Sequence, residues 1–67
     1  MNMNIGANVR RVRLAAGMTQ AELGRRAKFH PVQLSDLERG RHLPSIPVLL
    51  RLAKVLKVPA SKLLGEK

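Results

Sequence analysis

Residues Thr19 to Gly40 read TQAELGRRAKFHPVQLSDLERG. Two helical patterns are packed into these residues, each with its own start signal. Thr19 followed by Glu22 has the spacing of a capping box, in which each side chain meets the other residue's free backbone N–H. Met18 and Leu23 stand at the flanking positions of a hydrophobic staple. Pro31 suits the first turn of a second helix, where no backbone N–H is needed, with the start near His30. Phe29 and Leu34 repeat the staple spacing, and Gly40 is a natural stop. The turn between the helices is too short to be a linker. Leu34 and Leu37 form the inner face of the second helix, and its outer face is polar.

The same punctuation divides the rest of the chain. Ile5, Val9, Val12 and Ala16 recur at helical spacing ahead of Gly17, with Arg10 and Arg11 facing elsewhere. Gly24 inside the second helix costs about 1 kcal/mol relative to Ala, so a close neighbour is expected there. After the loop RHLP, Ser45 is a good N-cap for a fourth helix. Its buried stripe is expected to be Ile46, Leu49, Leu50, Ala53 and Leu56, with Arg51, Lys54 and Lys57 outward. A fifth short helix follows Pro59, with Leu63 and Leu64 inward, Gly65 as its stop and Val58 paired with Leu63. The expected helices are about 5–16, 19–27, 31–39, 46–56 and 60–64, in one all-α domain spanning 1–67. No segment has the β-branched alternation of a strand.

Thirteen Lys and Arg against four Asp and Glu give a formal net charge of +9 in 67 residues. An excess of that size points to a polyanionic partner. A membrane surface is the poorer match, because the basic residues are not gathered on one long amphipathic helix and Phe29 is the only aromatic. No apolar run approaches the roughly 18 residues of a membrane span. Without cysteine there is no disulfide and no thiolate metal site. The N-terminus MNMNIGANVRR lacks the order of a signal peptide, so a cytoplasmic protein is expected. Catalysis needs a nucleophile, base or metal in a shielded site. His30 and His42 lie at loop or helix-end positions, and Asp36 and Glu38 diverge on a helix. No enzyme activity, metal or cofactor is expected. With this charge, the 19–40 unit reads as a helix-turn-helix that presents its second helix to DNA.

TQAEL at 19–23, DLERG at 36–40, PS at 44–45 and LAKVLKV at 52–58 occur together at set separations. The combination resembles the lambda-repressor/Cro-like family, also called the Xre family, over about residues 5–64. The resemblance implies a compact five-helix fold with residues 31–39 as the recognition helix in the major groove. It implies that Gln20 touches a DNA phosphate and braces that helix, and that Arg13 pairs with Glu38. Base-reading positions would be Pro31, Val32, Gln33, Ser35 and Asp36. Of these, Gln33 suits adenine, Val32 a thymine methyl, and Asp36 only cytosine N4. Phosphate contacts would come from Thr19, Gln20, Arg39, Arg41 and His42, with backbone N–H groups at Ser45 and Ile46. The positively polarised start of the fourth helix favours an anion at that last place. The chain departs from the family pattern at Lys28, where Gly is usual, at Pro31, often a polar reader, and at Pro59, often Ser or Thr.

The expected function is a sequence-specific regulator of transcription that binds double-stranded DNA, as a weak homodimer through the helix-five region. A protein-interaction or antitoxin module of the same fold, with a toxin or polymerase as partner, and a non-specific basic nucleic-acid-binding protein stay open as alternatives.

Overall fold

A computed structural model describes residues 4–65; the chain ends at 1–3 and 66–67 lie outside the described residues. Five helices are present: α1 (Ile5–Ala15), α2 (Gln20–Arg26), α3 (Pro31–Glu38), α4 (Ile46–Leu56) and α5 (Ala60–Leu64). Ala16 and Arg39 act as C-terminal caps, while Thr19 and Ala27 flank α2, so none of the four is a helical residue. α1 packs on α3 and α5, α2 on α3, and α4 on α5. No helix among the described residues is long and apolar enough to cross a membrane.

Val9, Leu23, Leu34, Leu37, Leu52 and Leu63 are the fully buried large side chains. Met18, Phe29 and Val58, the residues ahead of α2, α3 and α5, pack against this core from its rim. The α4 stripe differs from expectation. Leu49, Leu52, Ala53 and Leu56 are buried, whereas Ile46 and Leu50 are 67% and 54% exposed. The sequence of α4, IPVLLRLAKVL, is apolar on nearly every side, so its periodicity allows more than one phase. Packing against α1, α2 and α5 selects the phase. Arg51, expected outward, is half-buried, and its Nε donates to the Ala27 carbonyl at 2.8 Å. Ala16, expected on the buried face of α1, is exposed, because the helix has already ended.

Two buried groups on α1 set its distance from its neighbours. Asn8 Nδ2 donates to the Leu63 carbonyl at 3.0 Å, tying α1 to α5. A Cβ placed on Gly6 would lie 2.1 Å from the Leu37 carbonyl oxygen, so α1 crosses α3 backbone to backbone.

The first four helices end in one and the same way. The N–H beyond the last turn reaches back five residues: Met18 to Arg13, Phe29 to Gly24, Arg41 to Asp36 and Val58 to Ala53, at 2.8–3.1 Å. This is the Schellman closure, which puts the residue before the donor in the left-handed region. Gly17 and Gly40 fill two of those positions without strain. Lys28 (φ 56°) and Lys57 (φ 60°) fill the other two. A side chain in that conformation costs roughly 1–2 kcal/mol.

Candidate nucleic-acid interface

α2, the turn and α3 are assembled from local bonds. Thr19 Oγ1 accepts from the Glu22 N–H at 3.0 Å. The reciprocal half of the capping box is replaced: the Glu22 carboxylate lies 3.8 Å from Arg26 instead. Gly24 is needed by the turn, since a Cβ there would come within 2.5 Å of the Phe29 carbonyl and 3.3 Å of the Pro31 nitrogen. His30 caps α3 through its ring, with Nδ1 accepting from the Val32 N–H at 3.1 Å.

One face of α3 belongs to the protein. Leu34 and Leu37 fill the core, and Glu38 ends the helix as a buried carboxylate. Arg13 Nε donates to Glu38 Oε2 at 2.7 Å and Arg13 Nη2 to Oε1 at 3.0 Å, a two-pronged match of guanidinium and carboxylate. Gln20 Nε2 donates to the same Oε1 at 3.0 Å, and Arg13 Nη1 to the Met18 carbonyl at 2.8 Å. Both charged side chains are withdrawn from water, 8% and 2% exposed. Three helices thus meet on one carboxylate, which fixes how far α3 projects. Gln20 has one amide hydrogen left for a ligand outside.

The other face of α3 is open. Val32 and Gln33 are exposed, while Pro31, Ser35 and Asp36 are half-buried. Asp36 does not stand alone among phosphates, because Arg41 Nη1 donates to its Oδ1 at 3.2 Å. Thr19, Arg39, Arg41, His42, Ser45 and Ile46 are exposed, and Ser45 Oγ accepts from the Val48 N–H at 3.4 Å to cap α4.

A polar cavity of about 410 Å³ lies where α1, α2 and α3 converge, lined by Arg10, Gln20, Ser35, Glu38 and Arg39. It brings together Gln20, Ser35 and Arg39 but not Val32 or Gln33. Glu38 at its floor is already neutralised by Arg13, so the free charges at the cavity are the guanidinium groups of Arg10 and Arg39. Arg10 was not expected at the interface. The signal was its position one helical turn before Arg13, which puts the two on the same face of α1. Each acid among the described residues, Glu22, Asp36 and Glu38, has an arginine within 4 Å. The uncompensated charge of this surface is therefore basic, and its chemistry is that of binding a polyanion through arginine and helix N-termini.

Comparison with known proteins agrees with this geometry. A family model described as a helix-turn-helix domain matches residues 4–63. An uncharacterised HTH-type transcriptional regulator of Sinorhizobium fredii is 41% identical over 58 residues, covering 87% of this chain and 75% of that protein. The immunity repressor protein of Bacillus phage phi105 is 31% identical over 64 residues, covering 96% of this chain and 44% of its own length. Among solved structures, the clp gene regulator ClgR of Corynebacterium glutamicum superposes with a TM-score of 0.89 at 32% identity, over 94% of this chain and 67% of that one. The restriction-modification controller protein C.AhdI of Aeromonas hydrophila gives 0.86 at 26% identity, over 91% and 92%. With its capped α2, tight turn, outward α3 and a matching family model over almost its whole length, the chain belongs to the lambda-repressor/Cro-like, or Xre, family of helix-turn-helix domains.

Proposed function

We propose that the domain is a sequence-specific, double-stranded DNA-binding regulator of transcription that acts in the cytoplasm. The observation that carries this is the division of α3: its inner face is locked to α1 and α2 through Glu38, and its outer face offers Val32 and Gln33 between basic flanks. α3 enters the major groove. Pro31, Val32, Gln33, Ser35 and Asp36 face the bases, Gln33 reading adenine through N6 and N7. Thr19, Gln20, Arg39, Arg41 and His42, with the N–H groups of Ser45 and Ile46, hold phosphates. Arg10 joins them at the polar cavity. Relatives named as a repressor and as a controller protein support a role in switching genes.

Two copies would read half-sites about 34 Å apart, one helical turn. The apolar side chains offered to a second copy are Leu43, Ile46 and Leu50, on the loop before α4 and its first turns. α5 itself offers little, since Leu63 is fully buried and Leu64 half-buried. A homodimer therefore uses this ridge beside the α5 region.

Selection of bound duplexes from a random pool tests the reading. A recovered motif with two half-sites is expected, and recovery of unrelated sequences would leave only non-specific binding. Gln33→Ala should alter preference at one base pair per half-site, by about 1–3 kcal/mol. Arg41→Ala should weaken every duplex alike and flatten the salt slope by about one unit. Identical behaviour of the two variants would overturn the assignment of reader and anchor.

A further inference from the structure

The C-terminal ends of α2 and α4 come together at a second basic cavity, of about 300 Å³, lined by Arg26, Lys28, Arg51, Lys54 and Val55. It shares no residue with the polar cavity beside α3. The N-termini of the same two helices, at Thr19 and Ser45, are where phosphate contacts are proposed. At 1.5 Å per residue, Lys54 lies roughly 13 Å along α4 from its cap. A phosphate held at either N-terminus is thus most of a helix length from this cavity.

Two features set the cluster apart from solvated surface charge. Arg51 is half-buried and its Nε is fixed on the Ala27 carbonyl at 2.8 Å, so one cation is held in place over the end of α2. Lys28 keeps φ at 56°, where glycine would be relaxed, and the side chain retained at that cost lines this cavity. The neighbouring acid, Glu22, is 3.8 Å from Arg26 and both are more than 40% exposed, so this pair offsets the cations little; the carbonyl ends of α2 and α4 offset them in part, Arg51 through its bond to Ala27. The floor is carbon: Val55, which packs against the core, and the aliphatic stems of the Lys and Arg side chains. The volume is at the bottom of the range for ligand pockets, roughly 300–1,000 Å³. It suits one bulky side chain better than a nucleotide.

The geometry points to a docking site for an acidic segment of a partner protein. One large apolar side chain of the partner rests on Val55. Asp or Glu residues on either side of it pair with Arg26, Lys28, Arg51 and Lys54. The Arg51, Lys54 and Val55 side of the cavity lies away from the proposed phosphate contacts, while Lys28 stands three residues before Pro31, so the segment and a duplex are expected to bind together with the segment seated mainly on α4.

The test is a fluorescently labelled synthetic peptide of Asp and Glu around a single Leu, titrated into the full chain with and without saturating duplex. The expected result is binding that survives the duplex. Lys28→Glu with Lys54→Glu should weaken the peptide about tenfold or more. The same variant changes the net charge by four units and should weaken the duplex by a smaller factor than the peptide, because those charges are screened and make no proposed phosphate contact. Lys28→Gly should raise Tm and still weaken the peptide, which keeps the test valid if the double variant folds poorly. Absence of peptide binding, indifference to these substitutions, or equal binding of a peptide without Leu would overturn the assignment. A duplex that displaces the peptide, or that suffers the larger loss, would give the cavity to phosphates instead. Duplex affinity is read in its own arm, so failure of the DNA-binding proposal is seen separately.

Discussion

Removing the Glu38 carboxylate is the sharpest test of how this domain holds α3. In Glu38→Ala the Arg13 guanidinium keeps its buried position, 8% exposed, and loses both bonds to the carboxylate, at 2.7 and 3.0 Å. Gln20 loses its acceptor at the same time. Stranding one partner of a buried pair costs about 3–5 kcal/mol. At roughly 0.05–0.15 kcal/mol per residue, the whole domain has only about 3–10 kcal/mol to lose. With a urea slope of about 1 kcal/mol per molar, the midpoint should fall by about 3–5 M, so part of the population should be unfolded without denaturant. Replacing the pair together, Arg13→Met with Glu38→Leu, should recover most of the loss, because no charge is then stranded. It should remain about 1 kcal/mol below the parent, since Arg13 also serves the Met18 carbonyl. The assay is urea unfolding followed by far-ultraviolet circular dichroism, because the chain has no Trp or Tyr to report by fluorescence. A trimethylamine-N-oxide series brings the weak variants into range. A loss under about 1 kcal/mol in Glu38→Ala, or single losses that simply add in the double variant, would refute the argument that desolvated charge governs this site.

Other outcomes follow from the backbone and from the cavity beside α3. Lys57→Gly, at φ 60°, should stabilise the domain by about 1 kcal/mol and raise Tm by roughly 4–8 °C, read by thermal melting. Gly6→Ala should destabilise by about 1–3 kcal/mol or more, because its Cβ meets a backbone oxygen and not a yielding side chain. Arg10→Ala should leave stability nearly unchanged, weaken every duplex alike and reduce the salt slope by about one unit in a fluorescence-anisotropy titration.

Much of the fold is written in local signals. Thr19, Pro31 and Ser45 mark helix starts, Gly17 and Gly40 mark ends, and Leu34 and Leu37 orient α3, each through its own neighbours in the chain. Where a position is decided by a distant neighbour, local signals fall short. Nothing in the IPVLLRLAKVL stretch distinguishes Leu50 from Leu52, and only the surrounding helices bury the second and expose the first. Gly6 and Asn8 look like ordinary residues until the Leu37 and Leu63 carbonyls are beside them. In the site, Arg13 and Glu38 were reached through family resemblance. Charge alone does not select them, because four acids among thirteen bases allow many pairings. Arg10 shows the same limit, since its role depends on α2 and α3 closing a cavity around it. His30 illustrates another, because histidine is not among the preferred N-caps, and only the placement of its ring nitrogen makes it one.

The four matching helix closures also bear on the order in which the chain folds. Each reverses the backbone with bonds spanning five residues, so the entropy of closing loops is spent in short steps. Chains dominated by such local contacts fold in microseconds to milliseconds. The Arg13–Glu38 bond, between residues 25 apart, requires α1, α2 and α3 to be docked already. The expectation is that it forms late, after the main barrier. Weakening it should leave the folding rate almost untouched and speed unfolding. On that expectation, the carboxylate that ties α3 to α1 and α2 is the latch that sets how long the folded domain persists.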